Sequence, residues 1–193
     1  MSPARRRLID LTAVALLLGV TIAGFAPTFG HVSYLVAAIG GLAVGMGIAV
    51  LCAWRGWGIL PGAGLTLAAY LLLAGPLALP STTLFGLPTL DTLLTTVFGA
   101  VTSWKELLTT GAPVSSDGTH HLVPFMMLLV GGVLTTSLAL RARPATWALL
   151  PAVLLLAGQI ALGLSSPAWP IVQGIVFALV AVVWAAVREA TDP

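Results

Sequence analysis

Six stretches of about 20 mostly apolar residues divide this sequence, and each is long enough to cross a lipid bilayer as an α-helix. They are residues 8–26, 32–53, 57–79, 122–140, 145–164 and 168–187. Of the 193 residues, 59% are apolar and only 7% are charged, whereas a soluble domain has about 25% charged residues. The chain therefore has too few charges to cover a water-facing surface, and lipid is its expected solvent.

The basic residues predict how these stretches are oriented. Seven of the eight lie at the ends of stretches that would meet on one side of a membrane, namely Arg5, Arg6, Arg7, Arg55, Arg141, Arg143 and Arg188. Lys and Arg accumulate in the cytoplasmic loops of membrane proteins. We therefore predict an all-α, polytopic plasma-membrane protein with six transmembrane helices, a single membrane domain over residues 1–193, and both termini in the cytoplasm.

The first stretch also has features of a secretory signal peptide, because three arginines precede its apolar run. The small-residue cleavage candidate Gly24-Phe25-Ala26 is followed by Pro27, which is unfavourable directly after a cleavage site. We therefore expect residues 8–26 to be retained as a transmembrane helix and residues 26–30 to form a turn.

The long connection between the third and fourth stretches contains an amphipathic helix at residues 90–108. Its apolar residues recur every three or four positions, and Thr89 and Asp91 suit a helix start. The apolar face includes Leu94, Val97, Phe98, Val101, Trp104 and Leu108. We expect this helix to lie in the interface of the outer leaflet or to pack across the ends of the spans. A seventh crossing is disfavoured, because it would place Asp91 in lipid and Arg141 outside.

Two rows of glycines are candidates for close helix packing. Gly41 and Gly45 are four residues apart in the second stretch, and Gly58 and Gly62 have the same spacing in the third. Small residues at this spacing let helix backbones approach closely in lipid. The rows fit an interface between two copies or a close pair within one chain, and general enrichment of glycine in membrane helices is the alternative explanation.

The sequence favours a protein without catalytic or metal chemistry of its own. His120, His121 and Asp117 fall on the expected outer side, but adjacent histidines lack the spacing of a helical zinc site. Cys52 is expected about 30 Å away at the inner boundary, so a Cys–His catalytic pair cannot form. We predict no enzyme activity, no cofactor and no metal. A basic stripe typical of nucleic-acid binding is also missing from the sequence.

The middle of each stretch is free of ionisable residues, which argues against a transporter or channel with a polar path. The polar side chains in the stretches include Thr66, Thr135, Thr136, Ser137 and Gln159. Serine and threonine hydroxyls bond to the carbonyl of the preceding helical turn. The amide of Gln159 needs more partners, and we expect it to form a hydrogen bond with another helix.

One part of the chain resembles a known family. It comprises Trp104-Lys105-Glu106-Leu107-Leu108-Thr109, Pro113, Leu122-Val123-Pro124, Leu140-Arg141-Ala142-Arg143-Pro144 and Leu149-Leu150-Pro151. This order is similar to the N-terminal membrane region of TgpA-type transglutaminase-like proteins of actinobacteria. The resemblance implies several spans, an extracytoplasmic transglutaminase-like domain and a further span. The family's catalytic Cys, His and Asp belong to that soluble domain, so no residue of this sequence matches them.

Together these patterns predict a non-catalytic module that anchors or assembles proteins at the cell envelope. The expected partners are membrane lipids, other envelope proteins or a second copy of the chain, and the resemblance implies an AAA-type ATPase among them. The alternative is a lipid- or peptide-handling membrane protein that uses helix 90–108 as a lid, with a cavity lined by Thr135, Thr136 and Gln159. A small-solute transporter is the least favoured of the three functions.

Overall fold

The computed structural model describes residues 3–29, 32–84, 87–109, 119–142, 144–162 and 170–191, of which 91% are helical. The α-helices are α1 (Pro3–Ala23), α2 (Ala26–Phe29), α3 (Tyr34–Arg55), α4 (Ile59–Ala78), α5 (Leu90–Thr109), α6 (Leu122–Arg141), α7 (Ala145–Leu162) and α8 (Pro170–Thr191). Short 3-10 helices cover Pro80–Thr82 and Thr119–His121, and β1 (Thr83–Leu84) pairs with β2 (Leu87–Pro88) as an antiparallel hairpin. The fold is all-α, as the apolar stretches predict.

Five helices of the described residues are long and apolar enough to cross a membrane, judged by length and composition. They cover Ala4–Phe29, Tyr34–Arg55, Ile59–Ala78, Thr119–Arg141 and Pro170–Ala190, whereas the apolar segment Thr146–Leu162 of α7 is shorter. The end of the fifth predicted span and the start of the sixth fall within residues 163–169, outside the described residues. The prediction of several membrane-compatible helices is confirmed.

The segment after the first predicted span is helical where we expected a turn. Residues 26–29 form α2, and Pro27 is tolerated there because the first turn of a helix has no partners for its N–H groups. Phe25 and Phe29 are fully buried, with ring centroids 6.1 Å apart. Burial of these two rings holds α2 against the bundle; Gly30 lies outside the described residues.

A glycine ends α3 and lets the chain reverse into α4. Gly56 has φ of 66°, in the left-handed region that glycine adopts without strain. Its N–H and that of Trp57 both donate to the carbonyl oxygen of Cys52. These bonds satisfy a carbonyl that the last helical turn leaves free, and α4 then packs back along α3.

The α3–α6 pair forms the centre of the bundle and has the most extensive contact between any two described helices. One apolar cluster, which includes Leu17, Leu18 and Leu128, joins this pair to α1, α7 and α8. A second cluster, which includes Tyr70 and Phe125, joins the pair to α4. Helix α8 packs mainly on α1 and is the most peripheral of the long helices, with only 11% of its apolar window buried.

Side-chain contacts between helix termini define the two ends of the bundle. At one end a guanidinium nitrogen of Arg141 donates to the carbonyl oxygen of Trp57 over 2.7 Å, and we call this the arginine end. At the other end Ser33 Oγ and His121 Nε2 are 3.4 Å apart, and we call this the histidine end. Helices α3 and α6 finish at the arginine end, where α4 and α7 begin. Arg143 lies outside the described residues.

Candidate functional site

A buried ion pair joins α1 to α8 near the arginine end. Asp10 and Arg188 are 3% and 4% exposed, and Asp10 Oδ1 lies 3.6 Å from Arg188 Nη1. The Nε1–H of Trp184 donates to the same carboxylate oxygen over 2.9 Å. Arg188 also donates to the carbonyl oxygen of Ala142, and its Cζ lies 5.7 Å from the centroid of the Trp184 ring. This cluster therefore connects the first helix, the last helix and the end of α6.

Burial gives the cluster a structural role. A charge removed from water is tolerated when an opposite charge and hydrogen bonds replace the lost hydration. Asp10 has both, since a guanidinium and an indole N–H approach its carboxylate. We interpret the cluster as a fixed connection between α1 and α8. We do not interpret it as a pair of ionisable residues that a transported solute would contact.

An apolar groove runs along the outer side of the same two helices. Its volume is about 430 Å³, within the range of roughly 300–1,000 Å³ for small-molecule pockets. Five residues of each helix line it: Leu8, Ile9, Thr12, Ala13 and Leu16 of α1, and Leu179, Val180, Val183, Trp184 and Val187 of α8. The Thr12 hydroxyl donates to the Leu8 carbonyl over 2.9 Å, and the Trp184 N–H is bonded to Asp10. The wall thus presents hydrocarbon to any occupant.

A second polar cluster joins α1, α7 and α8 nearer the histidine end. Gln159 is 3% exposed, and its Nε2 donates to the carbonyl oxygen of Gly24 over 2.8 Å. Gln173 Nε2 donates to Gln159 Oε1 over 2.7 Å and to the Val20 carbonyl oxygen over 3.2 Å. The hydrogen bond that we expected from Gln159 to another helix is therefore present, and Gln173 is its unexpected partner.

The two predicted glycine rows have different surroundings. A Cβ on Gly41 would lie 2.5 Å from the carbonyl oxygen of Phe125, and one on Gly45 would lie still closer to the carbonyl oxygen of Leu129. Both glycines therefore allow α3 and α6 to approach backbone to backbone. A Cβ on Gly58 would meet no atom within 4 Å, and one on Gly62 would be at an ordinary 3.5 Å from Cys52 Sγ. The first row lies at a close contact and the second does not.

The threonines that would line a cavity in the alternative, lipid- or peptide-handling function are packed inside the bundle. Thr135 and Thr136 have no exposed surface, and neither hydroxyl has a hydrogen-bond partner among the described residues. Gln159 turns toward Gly24. The groove between α1 and α8 is lined by other residues.

Helix α5 packs on the bundle through its small polar side chains. Thr92, Thr96 and Ser103 have no exposed surface, and Gly99 lies against Leu122 of α6. The Tyr70 hydroxyl of α4 donates to the Thr96 carbonyl oxygen over 3.0 Å. The large apolar residues face away from the protein, with exposures of 50% to 77%: Leu90, Leu94, Val97, Phe98 and Val101. This placement reverses the usual arrangement in water and suits a helix that has lipid on its outer side.

One of the predicted apolar-face residues differs from this pattern, and another cannot be compared with it. Trp104 is half-buried and packs against the first apolar cluster, because it lies nearer to the side of the helix occupied by Ser103 and the buried Leu107. The side chain of Leu108 lies outside the described residues. The start of α5 matches the prediction: Thr89 Oγ1 accepts from the N–H of Thr92, and Thr92 Oγ1 accepts from the N–H of Thr89, each over 3.2 Å.

The described residues contain no candidate metal site. Nowhere among them do three or more His, Cys, Asp or Glu side chains lie close enough together to hold a metal ion. His121 is 7% exposed, and its ring lies tilted against that of Phe29, with ring centroids 5.5 Å apart. Cys52 is buried near the end of α3, at the arginine end. Asp117 and Pro113 lie outside the described residues.

Sequence reasoning missed Gln173 and the partnership of Asp10, Trp184 and Arg188. Part of the signal was present, because Trp184 and Arg188 are four residues apart and share one face of a helix. The partner on α1 could not be identified, since nothing in the spacing of α8 specifies which helix packs against that face.

Comparison with known proteins gives no match to a family model, a curated protein or a solved structure. The resemblance of residues 104–151 to the membrane region of transglutaminase-like proteins therefore stays a prediction, and the function of this membrane-compatible helical bundle is inferred from its own geometry.

Proposed function

We propose that the chain crosses the plasma membrane six times, with the arginine end and both termini in the cytoplasm. The concentration of Arg55, Arg141 and Arg188 near that end supports this orientation. Helix α7 has 18 residues and extends about 27 Å, close to the hydrocarbon thickness of about 30 Å. In this arrangement α5 lies at the outer leaflet.

We further propose that the bundle is a non-catalytic module that anchors or assembles envelope proteins. The main support is that three buried polar side chains, those of Asp10, Arg188 and Gln159, and the half-buried side chain of Gln173 bond to other parts of the same chain. Polar groups on a substrate path need to remain available to the substrate. Groups that bond across helices instead fix the positions of those helices, which is what a scaffold requires.

The outward surface of α8 supports a role in assembly. Its exposed apolar residues recur at helical spacing and include Ile171, Ile175, Leu179 and Val182, each more than half exposed. In a bilayer such a stripe contacts lipid or the transmembrane helix of a partner. The resemblance described above supports a transglutaminase-like envelope enzyme as the partner, in the same polypeptide or in a separate one.

Photo-crosslinking in native membranes tests this role. A photoreactive residue in place of Val182 of α8 should yield one dominant protein adduct that contains a transglutaminase-like domain. The matched control is the same residue in place of Leu67 of α4, which is 60% exposed and equally apolar, and it should yield lipid adducts. Identical adducts at both positions, lipid adducts alone, or adducts only with a second copy of the chain would contradict the proposal.

A second candidate is the handling of lipids or peptides with α5 as a movable lid. The observation that favours it is the outward apolar face of α5, combined with attachment through small side chains. Between Thr92 and Ser103 the buried side chains of α5 are small, so this part can separate without a large side chain having to disengage, whereas Trp104 and Leu107 pack on the first apolar cluster. The exposed face would then contact an apolar substrate at the outer leaflet.

A reversible disulfide between α4 and α5 tests the lid. A Cβ on Gly75 would lie 2.8 Å from Thr92 Cγ2, so Gly75→Cys with Thr92→Cys brings two thiols close enough to bridge. In a Cys52→Ala background, the lid predicts transfer of lipid or peptide between reconstituted vesicles that stops on oxidation and returns on reduction. Thr92→Cys alone is the control. Absence of transfer in both redox states would exclude this candidate.

A further inference from the structure

We propose that the groove between α1 and α8 binds one acyl chain of an anionic phospholipid from the leaflet at the arginine end. The headgroup would lie beside Arg5, Arg6 and Arg7. The inference requires only that the bundle is embedded in a membrane, so it stands or falls separately from the assembly role.

The length of the groove matches one leaflet. Its α1 side runs from Leu8 to Leu16, and eight residues of helix extend about 12 Å. Half of the hydrocarbon core measures about 15 Å. A chain that lies along the groove would therefore be covered over most of the depth of its leaflet.

The lining of the groove favours a hydrocarbon chain as the occupant. Its ten residues present hydrocarbon from both helices, and the Thr12 hydroxyl and the Trp184 N–H are already bonded within the protein. A chain of methylene groups gains dispersion contacts from such a wall and needs no hydrogen-bond partner there. A transmembrane helix of a second copy is the other possible occupant, and the oligomeric state of the filled variants distinguishes the two.

The charge at the mouth of the groove selects an anionic headgroup. Arg5 precedes Leu8 and Ile9 by three and four residues, so it lies on the groove face of α1, one turn nearer the arginine end. Asp10 and Arg188 neutralise each other. Three arginines at positions 5–7 stand against two acidic residues that the sequence places at and just after the end of α8, Glu189 and Asp192, so the charge at this end is net positive. Near a membrane surface each arginine favours anionic lipid about fivefold.

Native mass spectrometry of the purified full chain tests this site, using nanodiscs of equal phosphatidylglycerol and phosphatidylcholine. We expect one phosphatidylglycerol to be retained in preference to phosphatidylcholine. Thr12→Trp fills the groove from an exposed position and should reduce this retention at least tenfold. Leu67→Trp, on the exposed side of α4, is the matched control and should retain the lipid.

A double variant distinguishes binding of the lipid headgroup from binding of the acyl chain. Arg5→Gln with Arg7→Gln should lower the preference for phosphatidylglycerol by roughly 25-fold, at about fivefold per arginine, and leave the retention of phosphatidylcholine unchanged. If Thr12→Trp does not fold, Val183→Trp fills the groove from α8. Equal retention of both lipids by the unmodified chain, or unchanged retention after filling, would overturn the proposal. A dimer that dissociates in the filled variants would also overturn it, because the occupant would then be a second copy.

Discussion

The indole N–H of Trp184 donates to a carboxylate oxygen of Asp10 over 2.9 Å and links two residues that are 174 positions apart. Both side chains are almost fully buried, and Arg188 completes the cluster from one turn further along α8. The hydrogen bond thus closes the bundle between its first and last helices. It lies directly behind the apolar groove, of which Trp184 also forms part of the wall.

Removal of this bond should destabilise the bundle. Trp184→Phe keeps most of the apolar volume but removes a donor to a charged group, at a cost of about 1.5–3 kcal/mol. Asp10→Ala should cost about 3–5 kcal/mol, because Arg188 would stay buried without its counter-charge. Thermal unfolding in detergent measures both effects. Trp147→Phe is the control, since Trp147 is 60% exposed, and an equal loss of stability in this control would refute the assignment.

The α3–α6 contact should be sensitive to a single methyl group. Gly45→Ala places a Cβ against the Leu129 carbonyl oxygen, and we expect overpacking to cost about 1–3 kcal/mol. Gly47→Ala on the same helix has no atom within 4 Å of its new Cβ and should be neutral or slightly stabilising. Unfolding of the two variants in mild detergent gives the comparison. Equal stabilities would show that the helices do not approach closely at Gly45.

The effects of substituting Gln159 and Gln173, the two glutamines of the second polar cluster, on stability should be coupled. Gln159→Leu and Gln173→Leu should each cost about 0.6 kcal/mol and no more than about 1.7 kcal/mol, the average and the maximum found for polar contacts between membrane helices. The double variant should cost less than the sum, because the two amides bond to each other over 2.7 Å. A double-mutant cycle on unfolding free energy measures the coupling, and strict additivity would contradict it.

The attachment of α5 should depend on its threonines. Thr92→Val removes the hydroxyl that donates to the Thr82 carbonyl oxygen over 2.6 Å and accepts from the Thr89 N–H. We expect faster proteolysis within residues 80–121. Thr102→Val is the control, because the exposed Thr102 hydroxyl bonds within its own helix, to the Phe98 carbonyl oxygen, and to no other group of the described residues. Similar proteolysis of both variants would contradict attachment through the polar face.

The outward face of α5 provides a separate test of its lipid contact. Val97→Asp with Val101→Asp introduces charges at positions that are 53% and 77% exposed. In nanodiscs these charges should draw α5 away from the bilayer and increase proteolysis within residues 80–121, because charge in lipid is costly. Val97→Leu with Val101→Leu is the control, and no increase relative to it would place this face outside the lipid.

Sequence alone predicted the features that depend on local physics. The apolar stretches determined the helices, since a backbone in lipid has to satisfy its hydrogen bonds within one segment. The spacing from Thr89 predicted the start of α5, because a cap needs only a side-chain oxygen within one turn of the free N–H groups. The predicted hydrogen bond from Gln159 to another helix followed from the free-energy cost of burying an amide without a hydrogen-bond partner.

Tertiary structure decided what lies between the helices. The sequence could not tell that Gly45 meets a backbone while Gly62 does not, or that α5 directs Thr96 inward and Val101 outward. In lipid, apolar side chains gain little by leaving the solvent, so helix pairs are chosen by shape, small residues and interhelical hydrogen bonds. Shape complementarity and interhelical hydrogen bonds involve two surfaces that are distant in the chain, so they are defined only after the helices have packed.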